Sequence, residues 1–376
     1  MTAAAGLGTV RPAYGSGSLA ELMPSVAAVL GVPGTTDSLA LGLDDVDRVA
    51  VLLVDGLGAA QVPVAATWAP ILNDLGTRTL TAGFPSTTPV SLVTVGTGAP
   101  PGAHGVLGFT VRQPGGAILN HIQWAGEPDP FGWQPVPTIF ERSVAAGVPV
   151  TVVNRPEYDG SGLSVAAYRG ARYAGAADAA ELAAGMLAAL SAGPGIVYGY
   201  HPELDKAGHV AGVDSEPWRA AAAELDVLLD RLVHGLPPRS ALLVVADHGQ
   251  LNIPLEGRLD LADRPELSAG VTAVAGEPRV RYLYAEPGAQ ADVIAAWKGV
   301  YGDSAYVLGR AEAVAEGWFG PVPAGHLDRI GEIVVVCRDH ALALATGWEP
   351  EIVGRLVGYH GALTAVEMTV PLLIAR

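Results

Sequence analysis

Residues 49–54 read Val-Ala-Val-Leu-Leu-Val, an unbroken apolar run with no polar alternation, the pattern of a strand buried on both faces. Shorter strand candidates occupy 77–82, 150–154, 196–200 and 241–246. Between them, 176–192 is rich in Ala and Leu and predicts a helix. Residues 216–233 carry apolar positions at helical spacing, with Asp226, Asp230 and Arg231 on the opposite face. Strands alternating with helices predict a mostly parallel α/β sheet sandwiched by helices. Residues 19–30 predict an amphipathic helix and 31–43 a loop. Residues 99–140, rich in Gly, Pro and aromatics, read as a long loop near the site.

The pattern changes over 255–345. Strand candidates at 279–284, 305–308 and 332–337 flank one helix at 290–299, which predicts a smaller α+β cap inserted into the core. A last strand at 370–374 returns to the sheet. The expected organisation is a core of 1–254 and 346–376 with a cap of 255–345.

Composition narrows the function classes. Half of the 376 residues are hydrophobic and 16% are charged, enough for a large core and too apolar for intrinsic disorder. The net charge of −16 and the absence of any Lys/Arg cluster exclude a nucleic-acid duplex as partner. No apolar run approaches the roughly 18 residues of a membrane helix. The N-terminal stretch lacks the basic start and apolar segment of a secretion signal. Cys337, the single cysteine, follows an apolar run and is expected to be buried and inert, so a cytoplasmic location is expected. An anionic substrate would need a strongly positive local feature, and a metal site supplies one.

Three apolar segments end in an acid beside a turn or helix: Val54-Asp55-Gly56, the stretch from Tyr200 to Asp205, and Ala246-Asp247-His248-Gly249. Ligands bind outside the carboxyl ends of strands in open α/β sheets, so these acids should converge. Asp205 and His209 are four apart, which turns both to one side of a helix. His360 sits in Gly358-Tyr359-His360-Gly361. Asp and neutral His suit Zn²⁺ or Mn²⁺, and three of each suffice for two ions given one more oxygen donor. Thr88, followed by Pro89, is expected to cap a helix N-terminus, where its hydroxyl could act as ligand and nucleophile.

Together these residues resemble the alkaline phosphatase superfamily, specifically its type I phosphodiesterase/nucleotide pyrophosphatase branch. The matching pieces are Val54-Asp55-Gly56, Phe84 to Pro89 with Gly98 and His104-Gly105, Tyr200 to Gly212 containing Glu203, Asp205 and His209, Asp247-His248-Gly249, and His360-Gly361 before Glu367-Met368. They run in family order over 49–376. The resemblance implies an alkaline-phosphatase-like core and two divalent ions. One would be held by Asp55, Thr88, Asp247 and His248, the other by Asp205, His209 and His360. It aligns Thr88, rather than Thr87, with the nucleophile, and implies hydrolysis of a nucleotide phosphodiester through a phosphothreonine intermediate. The sulfatase motif Cys/Ser-x-Pro-x-Arg is absent. Cyclic di-AMP is the leading named substrate, by similarity to the bacterial enzymes that degrade it. A nucleotide pyrophosphatase and a phosphonoacetate-type hydrolase would use the same ligands, and a non-catalytic nucleotide-binding protein is the competing class. Ser91 stands where many members carry an asparagine that donates to phosphate. Phe109, Trp124, Trp133 and Tyr158 are candidates for a base-stacking wall. His104, before Gly105 in a loop, is a candidate for a structural or substrate-side role, whereas His121, His201, His234, His326 and His340 lack partners at ligand spacing.

Overall fold

The computed structural model describes residues 7–376. Residues 1–6, part of the stretch read as lacking a leader, lie outside the described residues. The chain alternates strands and helices as the apolar runs demand. The first half of the sheet comprises β1 (Arg48–Val54), β2 (Gly76–Thr81), β3 (Val150–Asn154), β4 (Arg172–Gly175), β5 (Gly195–His201) and β6 (Ser240–Val245). The later strands are β7 (Val271–Glu277), β8 (Val280–Ala285), β9 (Ala305–Gly309), β10 (Ile333–Cys337) and β11 (Thr369–Ala375). The principal helices are α1 (Leu22–Val29), α2 (Thr88–Thr97), α3 (Ala179–Ser191), α4 (Glu203–Ala211), α5 (Glu216–Gly235) and α6 (Gln290–Tyr301).

Seven strands form the central sheet in the order β2-β11-β6-β1-β5-β3-β4. All are parallel except β11, which runs against both β2 and β6. The strands β1, β5 and β6 at its centre are almost fully buried, because helices cover both faces. This explains why they lack alternation. Side-chain caps set the starts of the long helices: Asp178 accepts from the Glu181 N–H and Ser215 from the Trp218 N–H. No helix among the described residues is long and apolar enough to cross a membrane.

The second sheet, β7-β8-β10-β9, is antiparallel. It is apolar on both faces for a reason the sequence pattern did not separate. Ile333, Val335 and Cys337 pack with Trp297 of α6, whereas Val334 and Val336 join the main core. Its strand β7 was not anticipated: Val-Thr-Ala-Val-Ala-Gly-Glu has small residues where a strand usually carries branched ones. The sheet rests on the 99–140 segment, where the Tyr282 hydroxyl donates to Leu107 O and Thr110 Oγ1 to Gly276 O. That segment is not wholly loop; it contains a short hairpin of Thr110–Arg112 with Ile118–Asn120.

A fully buried ion pair joins the two sheets' surroundings. Arg279 donates from Nε to Glu367 Oε1 at 3.0 Å and from Nη2 to Oε2 at 2.8 Å. Glu367 also accepts from the Ala362 N–H and the Thr364 hydroxyl, so it braces the loop that follows His360.

Candidate metal centre and active site

The three central strands deliver the acids to one place. Asp55 directly follows β1 and Asp247 lies just past β6, while β5 leads into α4, whose first turn carries Asp205. Gly56 follows Asp55 at φ +75°, and a Cβ there would lie 3.0 Å from the Asp205 Cβ. Glycine therefore lets β1 turn away against Asp205.

Two clusters result. In the first, His248 Nε2 is 3.5 Å from Asp55 Oδ1 and 3.3 Å from Asp247 Oδ2. Thr88 Oγ1 lies 3.4 Å from Asp55 Oδ2 and 3.2 Å from His248 Nε2. In the second, His209 Nε2 is 3.2 Å from both Asp205 Oδ2 and His360 Nε2. The rings of His248 and His360 stack at 3.5 Å, so the clusters adjoin. All seven residues anticipated as ligands are therefore brought together. Thr88 is displaced by one position from its expected role. Thr87 adopts the extended cap conformation and Thr88 is the first helical residue of α2. Proline is tolerated anywhere in the first turn, where its missing N–H has no helical partner, so Pro89 did not fix the register.

The donor chemistry fits divalent cations. Asp55 Oδ1 and Asp247 Oδ2 are buried without hydrogen-bond partners. Burial, then the charges of Asp247 and Asp205, push the Asp55 carboxyl well above the ordinary carboxylate range. A cation would relieve that repulsion. The imidazoles already face inward. The Nδ1–H of His209 donates to Gly358 O at 2.8 Å and that of His360 to Ser86 O at 2.9 Å, which turns each Nε2 toward the cluster. Burial opposes a charge on His209, but Asp205 outweighs it and raises the pKa to about 9. Burial likewise opposes ionisation of Asp205, and the surrounding imidazoles, His209 first, hold its carboxyl below the ordinary range. A metal would take the place of the proton they share.

The family model for type I phosphodiesterase/nucleotide pyrophosphatase matches residues 49–363. The chain belongs to this family. It is thus a metal-dependent hydrolase of phosphoric ester bonds with the alkaline phosphatase superfamily fold. Phosphonoacetate hydrolase from Sinorhizobium meliloti 1021, solved with phosphonoformate, superposes with a TM-score of 0.68 at 22% identity, covering 88% of this chain and 90% of that one. Murine ectonucleotide pyrophosphatase/phosphodiesterase 5 gives 0.68 at 19% identity, covering 86% and 87%. An inactive threonine-to-alanine form of the murine protein, in complex with AMP, gives 0.68 at 19% identity over 87% of each chain. At these identities the likeness establishes the fold. No curated protein sequence matches.

Several residues of this phosphodiesterase-family chain escaped sequence reasoning. The Tyr200 hydroxyl donates to Asp55 Oδ2 across 145 positions of sequence. Glu277, at the end of β7, is buried beside Gly361, and burial raises its carboxyl pKa to about 8. Gln250 donates to Asp205 Oδ1. The only signal in the sequence was their placement at or near strand ends.

Other candidates are committed elsewhere. The Ser91 hydroxyl donates to Asp247 O at 2.8 Å and is fully buried, so it braces the segment that carries the candidate ligands Asp247 and His248. His104 meets the Thr94 hydroxyl at 3.0 Å, and His326 donates from Nδ1 to Gly102 O. His201 is buried outside both clusters, while His234 and His340 are exposed. Lys206 pairs with Glu203 at 3.3 Å. Trp124 and Trp133 are buried around His121, with ring centroids 5.5 and 6.1 Å from it, which is packing. Phe109 and Tyr158 remain half-buried, and the Tyr158 ring meets Tyr200 edge-on at 6.5 Å. Burial pushes the Cys337 thiol up to about 11, an unreactive state.

The His121 environment makes stability pH-dependent. Its Nδ1–H donates to Gly108 O, its Nε2 accepts from the Trp133 indole, and burial lowers its pKa from 6.5 to about 4. Between those values the unfolded chain binds the proton that the folded chain refuses. Stability should therefore fall as pH drops through this window, by up to roughly 3 kcal/mol from His121 alone. Urea unfolding between pH 7 and pH 4 measures this, and His121→Phe should flatten the slope by about one proton.

Proposed function

We propose that this protein is a two-metal phosphodiesterase that cleaves nucleotide phosphodiester bonds through Thr88, with cyclic di-AMP the leading named substrate. The observation that carries the reading is the position of Thr88 Oγ1, at the start of α2 and within 3.4 Å of both Asp55 Oδ2 and His248 Nε2. The AMP complex of the inactive threonine-to-alanine relative supports it. Asp55, Thr88, Asp247 and His248 would hold one divalent ion, and Asp205, His209 and His360 the other. Bound there, Zn²⁺ or Mn²⁺ would lower the pKa of the Thr88 hydroxyl and offset phosphate charge.

Thr88 Oγ forms a bond to phosphorus as the ester oxygen opposite it departs and takes up a proton. The backbone N–H groups of Thr88 and Val90, in the first turn of α2, have no intrahelical partner and would be available to the non-bridging oxygens. Water then displaces the threonine oxygen, regenerating Thr88 and releasing a monophosphate end. Ser91 is occupied by Asp247 O, so those backbone donors take the part of the side-chain amide that many relatives carry.

The proposal includes 255–345 as a cap that, with the 99–140 segment, bounds a base pocket. With Trp124 and Trp133 buried, Tyr158 and Phe109 are the rings left to meet a base. The test compares kcat/KM on cyclic di-AMP, linear pApA, dinucleoside polyphosphates, phosphonoacetate and a minimal chromogenic diester. Stacking is worth roughly 1–3 kcal/mol, so adenine dinucleotides should exceed the minimal diester about tenfold to a hundredfold. Equal rates on all diesters would eliminate the base pocket, and a preference for phosphonoacetate would overturn the phosphodiesterase reading.

A further inference from the structure

Gln250 lies two residues beyond His248, yet its side chain serves the other cluster. Its Nε2 donates to Asp205 Oδ1 at 2.9 Å and reaches Asp205 O at 3.3 Å. Its own backbone oxygen accepts from Gln61 Nε2 at 2.7 Å, which fixes the segment from behind. The residue is 1% exposed. On α4, between Asp205 and His209, stands Gly208, where a Cβ would fall 1.7 Å from Gln250 Oε1. The helix that carries two ligands thus leaves its side chain out where Gln250 passes.

The chemistry of the contact is specific. An amide N–H orients a carboxylate without cancelling its charge, whereas Lys or Arg at this position would compete with a cation. With Oδ1 held by the amide, Oδ2 is the oxygen turned to His209 Nε2 at 3.2 Å. Asp247 and His248, two ligands of the first cluster, share a four-residue segment with Gln250. Anything that orders this segment also orders Asp205.

We infer that Gln250 is a positioning residue that fixes Asp205 for the second metal and couples the two sites. This rests on the metal assignment proposed above. Coupling of this kind is reciprocal, so whatever an ion in one site does to affinity at the other, the converse holds equally.

The experiment titrates metal-free protein with Zn²⁺ alone against a chromophoric chelator, comparing wild type, Gln250→Met and Asp205→Ala. Wild type should take two equivalents. Gln250→Met keeps the volume and loses the donor. It should hold one equivalent within about threefold of wild type and weaken the other by about 10- to 100-fold, the usual range for losing a partner of a metal ligand. Its kcat should return toward wild type as Zn²⁺ is raised by that same factor, which a packing defect would not allow. Wild-type affinity for both equivalents, or loss of both, overturns the role of Gln250. If Asp205→Ala also binds two equivalents normally, the metal assignment itself has failed. If it loses one while Gln250→Met does not, Gln250 alone is excluded. Should Gln250→Met not fold, Gln250→Asn, one methylene too short to span the gap, replaces it. Failure of both to fold would make the residue structural and end the proposal.

Discussion

Thr88→Ala should leave a folded, metal-binding protein that turns substrate over at least about 10⁴-fold more slowly, the scale of loss when a nucleophile is removed from a preorganised site. The hydroxyl touches Asp55 and His248, but both have other partners in the cluster. Three donors of the first site therefore remain. Thr87→Ala is the control. The Thr87 hydroxyl is buried without a hydrogen-bond partner, and it makes no side-chain cap to α2. Its loss should change kcat by no more than a few fold. Single-turnover kinetics separate the chemical step from binding. A near wild-type rate in Thr88→Ala, or a collapse confined to Thr87→Ala, would move the nucleophile.

Removing the metals should have an effect of the same order. Full chelation should abolish turnover and also soften the fold. Ions present at about a hundredfold their dissociation constant stabilise a protein by about 2.7 kcal/mol per site. The buried carboxylates of Asp55, Asp205 and Asp247 are then left with only protons and imidazoles as counter-charge. Activity and melting temperature should recover together when Zn²⁺ or Mn²⁺ is restored. Asp247→Asn should mimic the kinetic loss without the full loss of stability, since it removes one charge and keeps the shape. Full activity in excess chelator, with the protein shown by elemental analysis to be free of metal, would refute the two-metal account.

The central sheet was legible because its inner strands are buried on both faces and leave an unmistakable apolar signature at 49–54 and 241–246. The convergence of the candidate ligands was legible for a related reason: strand ends are punctuated by Asp-Gly and Asp-His-Gly, and the parallel topology gathers strand ends. What escaped was whatever depends on approach across the chain. Tyr200 meets Asp55 and Gln250 meets Asp205 through contacts 145 and 45 positions apart, with no spacing to betray them. β7 escaped because it packs small residues against its neighbours. The aromatic residues at 124 and 133 looked available for a base because composition does not distinguish a ring beside a ligand from one enclosing a histidine. Here the rings enclose His121.

The Arg279–Glu367 pair bears on how such a chain could be recombined. Both side chains are sealed from solvent, one arriving with the second sheet and the other bracing the loop beyond His360. A second sheet transplanted from a relative without this arginine would strand a carboxylate in a dry interior, a defect that costs about 3–5 kcal/mol when one partner of a buried pair is lost. The damage would appear at the contact between the two parts, in the loop that follows His360. The two parts of the molecule are consequently not interchangeable pieces. A chimera that exchanges the second sheet would have to carry positions 279 and 367 together, although they lie on opposite sides of any cut that excises the proposed cap.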